Sequence, residues 1–411
     1  MRGDLPRVIA AEVVSNFGSM LSRLAIPWLA VLALSATPLQ MGYLALADIV
    51  AGAVAALLLG ALVDRATNRS VMIGADLLRA AVLALVALLA ALDLLTMGLL
   101  VAAAAAGGVL TMAFELARSA WIARSVAQRE LATRNSQLAG ATAVSESASF
   151  AIGGWLFQLL GGAIALAVDA ASYLISALLL IGVREPPRER AEPPAAPRLR
   201  ALLAEAKSGL RTVAQEPTLR RLAMLEALVA LGMSLAGTSY LIYVTRDLRF
   251  STGVLGMIFA VGGVGSALGA LAAPALGRRY GSKGAMLFGL ILAALGAALL
   301  PIATAATLFA VALLIAHQLI GDGGHVMREI YDRTLRQSIA PAAQLARVDS
   351  GIRLLGQIAT LAGAIGGGAF ATAFGARSAL VGSAICFTAA AGFAALTMNP
   401  AREARAGNPY P

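Results

Sequence analysis

Six ionisable side chains lie inside apolar stretches that are long enough to cross a membrane. They are Arg23, Asp48, Glu146, His317, Asp322 and His325. An ionisable group at the centre of a bilayer costs roughly 2.5–3.5 kcal/mol on insertion scales, which makes each of these positions a candidate functional site. Such side chains can bind a proton or a polar substrate. The sequence contains no Ser/His/Asp or His-Glu-x-x-His constellation, so it does not predict an enzyme.

Glu146 is the strongest candidate for binding a proton or a cationic substrate. It lies in the middle of a predicted helix, on a polar helical face. Desolvation favours the neutral form of a carboxyl and a nearby arginine favours the charged form, so a partner such as Arg23 would let the proton follow a conformational change. Asp48 lies in the outer half of a neighbouring span. The alternative is a fixed buried salt bridge between Glu146 and Arg23 that holds two helices together.

The stretch HQLIGDGGHVMREIYD carries a second group of candidates. Asp322 and His325 are three residues apart, which makes them neighbours on a helix and a candidate protonation couple near neutral pH. His317 and His325 are eight residues apart, about 12 Å along a helix, which is too far for one metal ion. We therefore predict no metal site. The alternative is a hydrated, glycine-loosened helix end near the cytoplasm.

The composition indicates that the solvent of this chain is lipid. Of its 411 residues, 59% are hydrophobic and 13% are charged, whereas soluble domains carry about 25% charged residues. A spanning helix needs about 20 mostly apolar residues. The sequence predicts an all-α integral membrane protein with twelve transmembrane helices, near residues 8–34, 41–62, 72–92, 98–117, 137–160, 164–183, 222–244, 253–276, 285–303, 307–328, 351–373 and 378–398.

The basic residues predict the orientation. With both termini in the cytoplasm, the predicted outer loops contain only Arg246, Arg249 and Arg377, and nearly all other Lys and Arg residues lie on the cytoplasmic side. The net charge of +10 is therefore a signal of membrane orientation and does not indicate nucleic-acid binding. Four further charges lie nearer to span ends, and we interpret them as pairs at the membrane interface: Asp76, Arg79, Arg118 and Asp169.

Two pairs of stretches recur at a nearly constant spacing, which predicts an internal repeat. GALVDRATNR (60–69) aligns with PALGRRYGSK (274–283) at an offset of 214, and residues 134–154 align with 347–367 at an offset of 213. Two related halves of six spans are a plan of transporters, whose substrate site lies between the halves near the midplane. The predicted domains are a six-helix bundle at 1–183, a cytoplasmic linker with an amphipathic helix at 184–221, a second bundle at 222–398 and a cytoplasmic tail at 399–411.

These motifs resemble the major facilitator superfamily. GALVDRATNR is similar to the loop motif G-x-L-x-D-R-x-G-R-[RK] between the second and third helices of that family, and it departs from the motif at Thr67 and Asn68. ADLLRA (75–80) and VDAASYLISALLL (168–180) look like the branch that exports drugs, macrolides and siderophores. The resemblance implies two six-helix bundles that expose a site alternately to the two sides of the membrane.

The resemblance also implies a cytoplasmic gate. In the family, the Asp of the motif contacts a helix of the other half, and the basic residues pair with an acid at the end of the fourth helix. The positions that match are Gly60, Asp64, Arg65, Arg69 and, as the acid, Glu115. A carboxylate at a helix N-terminus is worth about 0.3–1 kcal/mol, enough to bias a nearly balanced equilibrium. The alternative is a solvated turn whose arginines only set the orientation.

Taken with the family, the residues predict a monomeric secondary transporter in a bacterial inner membrane. It would export a hydrophobic or amphiphilic small molecule in exchange for protons, with the proton gradient as its energy source. No cofactor is expected, because no G-x-x-x-x-G-K-[ST] loop occurs. Ser149-Phe150 replaces the Gly-Pro that many antiporters carry before the Gly-Gly of the fifth helix. The alternatives are an importer or lipid-type carrier of the same fold, and a membrane sensor or scaffold that transports nothing.

Overall fold

The computed structural model is built from helices. It describes residues 4–63, 66–125, 128–185, 209–340 and 344–398, with side chains except at 57–58, 60–63, 123, 128–144, 146–147 and 346. The helices are α1 (Leu5–Trp28), α2 (Pro38–Val63), α3 (Asn68–Ala91), α4 (Met97–Ser125), α5 (Gln128–Ile181), α6 (209–215), α7 (Pro217–Ile242), α8 (Thr252–Leu299), α9 (Leu308–Ala316), α10 (Gly323–Ile339), α11 (Leu345–Phe374) and α12 (Ala376–Thr397). Three π-helical segments, Leu29–Ala33, Tyr243–Asp247 and His317–Asp322, extend or join these helices.

Two of the long helices bend sharply at a glycine. The backbone of α5 leaves helical geometry at Gly161 (φ 83°) and that of α8 at Gly281 (φ 70°). Positive φ is accessible to glycine because it has no Cβ. Each bend falls between two predicted spans, so each of these helices contains two of them.

Nine helical stretches of the described ranges are long and apolar enough to cross a membrane. The secondary structure of the described ranges is helical, and the protein is a multi-pass membrane protein, as the composition predicts. The first predicted span is helical, as α1, but is not among the nine. Charged and polar side chains such as Glu12, Asn16 and Arg23 are spread along it.

The chain divides into two compact units. Unit 1 comprises Met1–Ala196 with Ser251–Ala260, and unit 2 comprises Pro197–Phe250 with Val261–Pro411. In unit 1, α1 and α3 pack against α5, and α2 packs against α4. Trp28 is fully buried and meets the ring of Phe157 edge-on, with 5.1 Å between the ring centroids. The packing therefore places both α1 and α3 against α5.

Unit 2 contains very close helix contacts at glycines. In this unit α7 packs against α11 and α12. A Cβ added at Gly265 would lie 2.7 Å from the backbone oxygen of Gln318, and one at Gly269 would lie 2.2 Å from that of Gly323. Small residues let helix backbones approach in membranes. The glycines of α8 thus place this helix directly against the π-helical segment that precedes α10.

The backbone confirms the predicted internal repeat. Three pairs of unusual features are separated by 214 residues. The pairs are the π-helical segments Leu29–Ala33 and Tyr243–Asp247, the positive-φ residues Ser35 (φ 53°) and Arg249 (φ 60°), and the positive-φ glycines Gly161 (φ 83°) and Gly375 (φ 88°). Positive φ is uncommon at residues other than glycine. Its recurrence at Ser35 and Arg249 shows that the two units repeat one backbone plan.

Candidate functional site

The motif predicted as a gate is only partly within the described residues. Asp64 and Arg65 lie outside them, and Gly60 is described as backbone of α2 only. The N-terminus of α3, which follows the motif, binds a carboxylate: the backbone N–H groups of Asn68 and Arg69 donate to Glu185, at 2.8 and 3.0 Å. A carboxylate is favourable at this end of a helix. Glu185, which the sequence did not single out, therefore ties the end of α5 to α3.

Replacing Glu185 with alanine should destabilise the protein by about 1 kcal/mol, because two N-terminal amides of α3 lose their acceptor. Thermal unfolding of the purified protein would measure the loss. Glu329→Ala is the matched control, since the side chain of Glu329 is 62% exposed and forms an ion pair with Arg333 of its own helix. Equal melting temperatures for the two variants would contradict the capping role.

Glu115 was predicted to pair with the basic residues of the gate. It is exposed on α4, and it has no ion pair with any residue whose side chain is described. Arg118, one turn further along α4, pairs with Glu12 of α1. Because Asn68 stands where the motif has its pairing arginine, Arg69 would have to pair with Glu115, but these two described side chains form no ion pair. A partnership of Glu115 with Arg65 stays a prediction, because Arg65 lies outside the described ranges.

Arg23 and Asp48, both predicted as binding residues, are exposed on α1 and α2 and act on each other electrostatically. A Cβ at Gly108 of α4 would lie 3.0 Å from Asp48 Oδ1, so this glycine leaves space for the carboxylate. The side chain of Glu146 is not described, and its pairing with Arg23 stays a prediction.

The segment His317–Asp322 is π-helical and joins α9 to α10. π-helical turns inside longer helices are frequent at functional sites. His317 Nδ1 lies 2.9 Å from the backbone oxygen of Gly296 in α8, and the imidazole ring lies 6.0 Å from the ring of Tyr240 in α7. His317 is therefore held between α7 and α8.

Asp322 faces α8 at a position where glycine makes room for it. A Cβ at Gly262 would lie 2.3 Å from Asp322 Oδ2 and 3.0 Å from Gln318 Nε2. Any larger residue would have to displace these two polar groups. The structure thus brings an acid and an amide together on one side of the π-helical segment.

His325 contacts different helices from Asp322. Its Nε2 lies 2.9 Å from Met233 Sδ in α7, and its ring meets that of Phe387 in α12 edge-on at 5.3 Å. Of the three candidates in this stretch, Asp322 faces α8 and His325 faces α7 and α12. No hydrogen bond or ion pair joins the two within the described side chains. The protonation couple expected from α-helical spacing is therefore not formed here.

A buried charge cluster in unit 1 differs from its sequence-based interpretation as pairs at the membrane interface. The cluster consists of Asp76, Arg79 and Asp169, whose exposed fractions are 0%, 6% and 0%. Arg79 Nη2 lies 2.5 Å from Asp76 Oδ1, and Ser176 Oγ donates to Asp76 Oδ2 at 2.7 Å. Hydropathy places these residues near span ends, but the packing of α3 on α5 encloses them.

Arg79 is also enclosed by aromatic rings. Its Cζ lies 4.7 Å from the ring centroid of Phe114 and 4.3 Å from that of Tyr173. Rings at this distance stabilise a desolvated guanidinium through their negative faces. The hydroxyl groups of Tyr173 and Ser19 are 2.7 Å apart, which connects the cluster to α1. The spacing Asp169, Ser172, Ser176 in VDAASYLISALLL is the signal that would have predicted a polar face here.

Unit 2 has a larger ionic network, which joins α7, α10 and α11. Glu226 Oε2 lies 3.1 Å from Arg328 Nη1 and 3.6 Å from Arg336 Nη2. Arg336 also pairs with Asp332 and lies 3.8 Å from Asp349. Glu226 and Glu12 are 214 residues apart. Each lies on the first long helix of its unit, α7 or α1, and forms an ion pair with an arginine later in the chain.

Apolar spanning helices, a repeated backbone plan and enclosed charges define a membrane transport protein. The model of the Major Facilitator Superfamily matches residues 8–327, and the chain belongs to that family. The family predicted from the motifs is thereby confirmed.

Relatives and solved structures agree with this assignment. The chain is 28% identical over 375 residues to the multidrug efflux pump Tap of Mycolicibacterium fortuitum, covering 89% of this chain and 88% of the pump. It is similar in fold to the nucleoside transporter NupG (TM-score 0.75, 15% identity, 96% of this chain and 99% of that one). It is also similar to a bacterial homologue of the human lysosomal transporter Spinster (TM-score 0.74, 16% identity, 97% and 98%).

Proposed function

We propose that this chain is a secondary transporter that exports a hydrophobic or amphiphilic small molecule from a bacterial cytoplasm in exchange for protons. It acts as a monomer in the inner membrane, by alternating access of its two units, and it needs no cofactor because the proton gradient supplies the energy. It has no enzymatic role. The name of the pump Tap supports the direction of transport and the class of substrate.

The observation that carries this proposal is the polar site at Asp322. A carboxylate inside a spanning helix faces a cavity or a partner, since contact with lipid would be costly. Asp322 is half-buried, Gly262 leaves room for its carboxylate, and Gln318 adds a hydrogen-bonding amide. An acid beside a hydrogen-bonding amide suits a cationic part of an amphiphilic molecule, because the carboxylate binds the charge and the amide fixes the orientation.

We also propose twelve membrane crossings with both termini in the cytoplasm. The bends at Gly161 and Gly281 support this number, because each divides a stretch long enough for two crossings. The 24-residue helix α1 supplies the remaining crossing. In such a crossing Glu12 is paired with Arg118 of α4, and the exposed Arg23 would face away from lipid.

Accumulation of ethidium, a macrolide and a siderophore in efflux-deficient cells tests the proposal. Cells that express the protein should accumulate less of at least one compound, and a protonophore should abolish the difference. Higher accumulation would overturn export and favour an importer of the same fold. No change with any compound would contradict export of this class of molecule. Gly262→Leu is the matched variant, because it should displace the side chains of Asp322 and Gln318 and lose the lower accumulation seen with the wild type.

A further inference from the structure

The buried charge cluster of unit 1 has an uncharged counterpart in unit 2. α3 begins after Thr67, and the part of α8 that follows its bend begins after Gly281. These two starting points are 214 residues apart, so the offset of the repeat also holds here. At this offset, the counterparts of Asp76, Arg79 and Asp169 are Leu290, Ala293 and Ser383. Leu290 and Ala293 belong to the apolar core of unit 2.

The two sets of residues occupy the same place in the packing. A Cβ at Gly18 of α1 would lie 2.3 Å from Asp169 Oδ1. At the corresponding Gly232 of α7, a Cβ would lie 3.3 Å from the backbone oxygen of Ser383, whose hydroxyl group donates to the Gly232 oxygen at 2.7 Å. One backbone plan therefore packs a charged set in unit 1 and an uncharged set in unit 2.

This comparison separates folding from function. Well-packed apolar residues can replace buried ion pairs with little or no loss of stability. Unit 2 contains such a replacement at these positions. The repeated backbone plan therefore does not require the charges of unit 1, and a role other than folding must account for them.

The charges of the cluster do not balance. Asp76 uses both oxygens, one with Arg79 and one with Ser176. Asp169 accepts a hydrogen bond from Ser172 at Oδ1, whereas its Oδ2 has no hydrogen-bond partner among the described groups. An enclosed carboxylate without its own cation is unfavourable, and binding a proton removes the charge. Two acids thus share one guanidinium.

The groups that face Asp169 define what can compensate its charge. From α3 it faces Arg79 and Asp76, from α1 it faces Ser22, and on its own helix it faces Ser172 and Tyr173. Arg79 is the only cation among these described neighbours. Glu12 of α1 acts on Asp76 and is itself paired with Arg118.

We propose that Asp169 is the proton-binding group of unit 1 and that Arg79 compensates its charge when the proton leaves. An O–H bond forms at Asp169 Oδ2 when a proton enters from water, and it breaks when the proton leaves to the other side. Ser172 donates a hydrogen bond to the carboxyl group in either state. When the proton leaves, the guanidinium of Arg79 compensates the charges of both Asp76 and Asp169, and no longer that of Asp76 alone. This inference rests on the proposed proton-coupled export and names the residue that carries the proton.

Infrared difference spectra of the full chain in liposomes, recorded between two pH values, test the assignment directly. The wild type should show the carbonyl stretch of an enclosed, protonated carboxyl group. Asp169→Asn should lack it, and Asp169→Ser, which installs the uncharged counterpart from unit 2, should lack it too. Asp93→Asn is the matched control: Asp93 is exposed in a loop with φ 56°, a conformation that asparagine tolerates. Persistence of the band in both Asp169 variants, or its loss in Glu146→Gln instead, would overturn the proposal.

A second arm uses ethidium in proteoliposomes. Transport driven by a pH gradient should be lost in both Asp169 variants, while exchange of ethidium at equal pH should persist, because only coupling is removed. Gradient-driven transport at the wild-type rate would contradict the role of Asp169. If the wild type itself moves no ethidium with the gradient, the proposed function fails for this substrate, and the infrared arm still decides whether Asp169 binds the proton.

Discussion

Replacing Arg79 with alanine should destabilise the protein by about 3–5 kcal/mol, the usual cost of removing one partner from a buried ion pair. The substitution leaves Asp76 enclosed at 0% exposure beside Asp169, with no cation between them. It also removes the guanidinium that packs between the rings of Phe114 and Tyr173. Thermal or denaturant unfolding of the purified protein would measure this loss.

A double variant makes this prediction specific. Asp76→Leu with Arg79→Ala installs the residues found at the corresponding positions of unit 2, Leu290 and Ala293. It should recover most of the stability, because Asp169 is then the only acid of the cluster and binding a proton removes its charge, which leaves no buried charge without a partner. Arg333→Ala is the control, since that side chain is 69% exposed and its ion pair should contribute less than about 1 kcal/mol. A double variant as unstable as Arg79→Ala would contradict this account.

Replacing Asp322 with asparagine should reduce the transport of ethidium about 10- to 100-fold. Hydrogen bonds to charged groups contribute about 1.5–3 kcal/mol, and each 1.4 kcal/mol corresponds to a tenfold change. Asparagine keeps the shape of the side chain beside Gly262, so the protein should fold normally. Initial rates in proteoliposomes, together with the melting temperature, would separate binding from stability.

Asp247→Asn is the matched control for this variant. Asp247 is also an acid on a π-helical segment, but it is exposed at the end of α7. Its substitution should leave transport close to the wild-type rate. Equal losses in both variants would show that charge in general, and not the site at Asp322, drives the effect. The transport of chloramphenicol, which is uncharged, should be reduced less by Asp322→Asn than the transport of ethidium, which is a cation.

The fold was largely predictable because hydropathy and spacing report directly on helices in lipid. The repeat found in two short stretches at offsets of 214 and 213 recurs in the backbone, down to the positive φ at Ser35 and Arg249. The bends at Gly161 and Gly281 were predicted only as loops. A glycine between two apolar runs is compatible with either a loop or a bend, since both use positive φ.

The site was less predictable because its contacts are not local. Glu185 binds the amide of Arg69 across 116 residues of chain, and no spacing rule links the two. Asp169 lies in an apolar run close to a span end, so hydropathy favours the interface, whereas the packing of α1 and α3 encloses it. Asp322 and His325 are separated by less than one α-helical turn, yet Asp322 contacts α8 and His325 contacts α7 and α12, and residue spacing does not show which neighbouring helix each side chain meets.

That π-helical segment also affects how the two units can be exchanged in designed proteins. α4 and α9 begin alike, each with a threonine whose hydroxyl group accepts from the amide three residues on, at Thr96 and Thr307. The wider turn at His317–Asp322 takes up one extra residue, which rotates everything after it by about 100° relative to a regular helix. A chimera that grafts the end of α4 directly after α9 by counting residues would therefore turn the grafted Arg118, which pairs with Glu12 in unit 1, away from Glu226. Such a graft needs its junction after Asp322, so that the wide turn is kept.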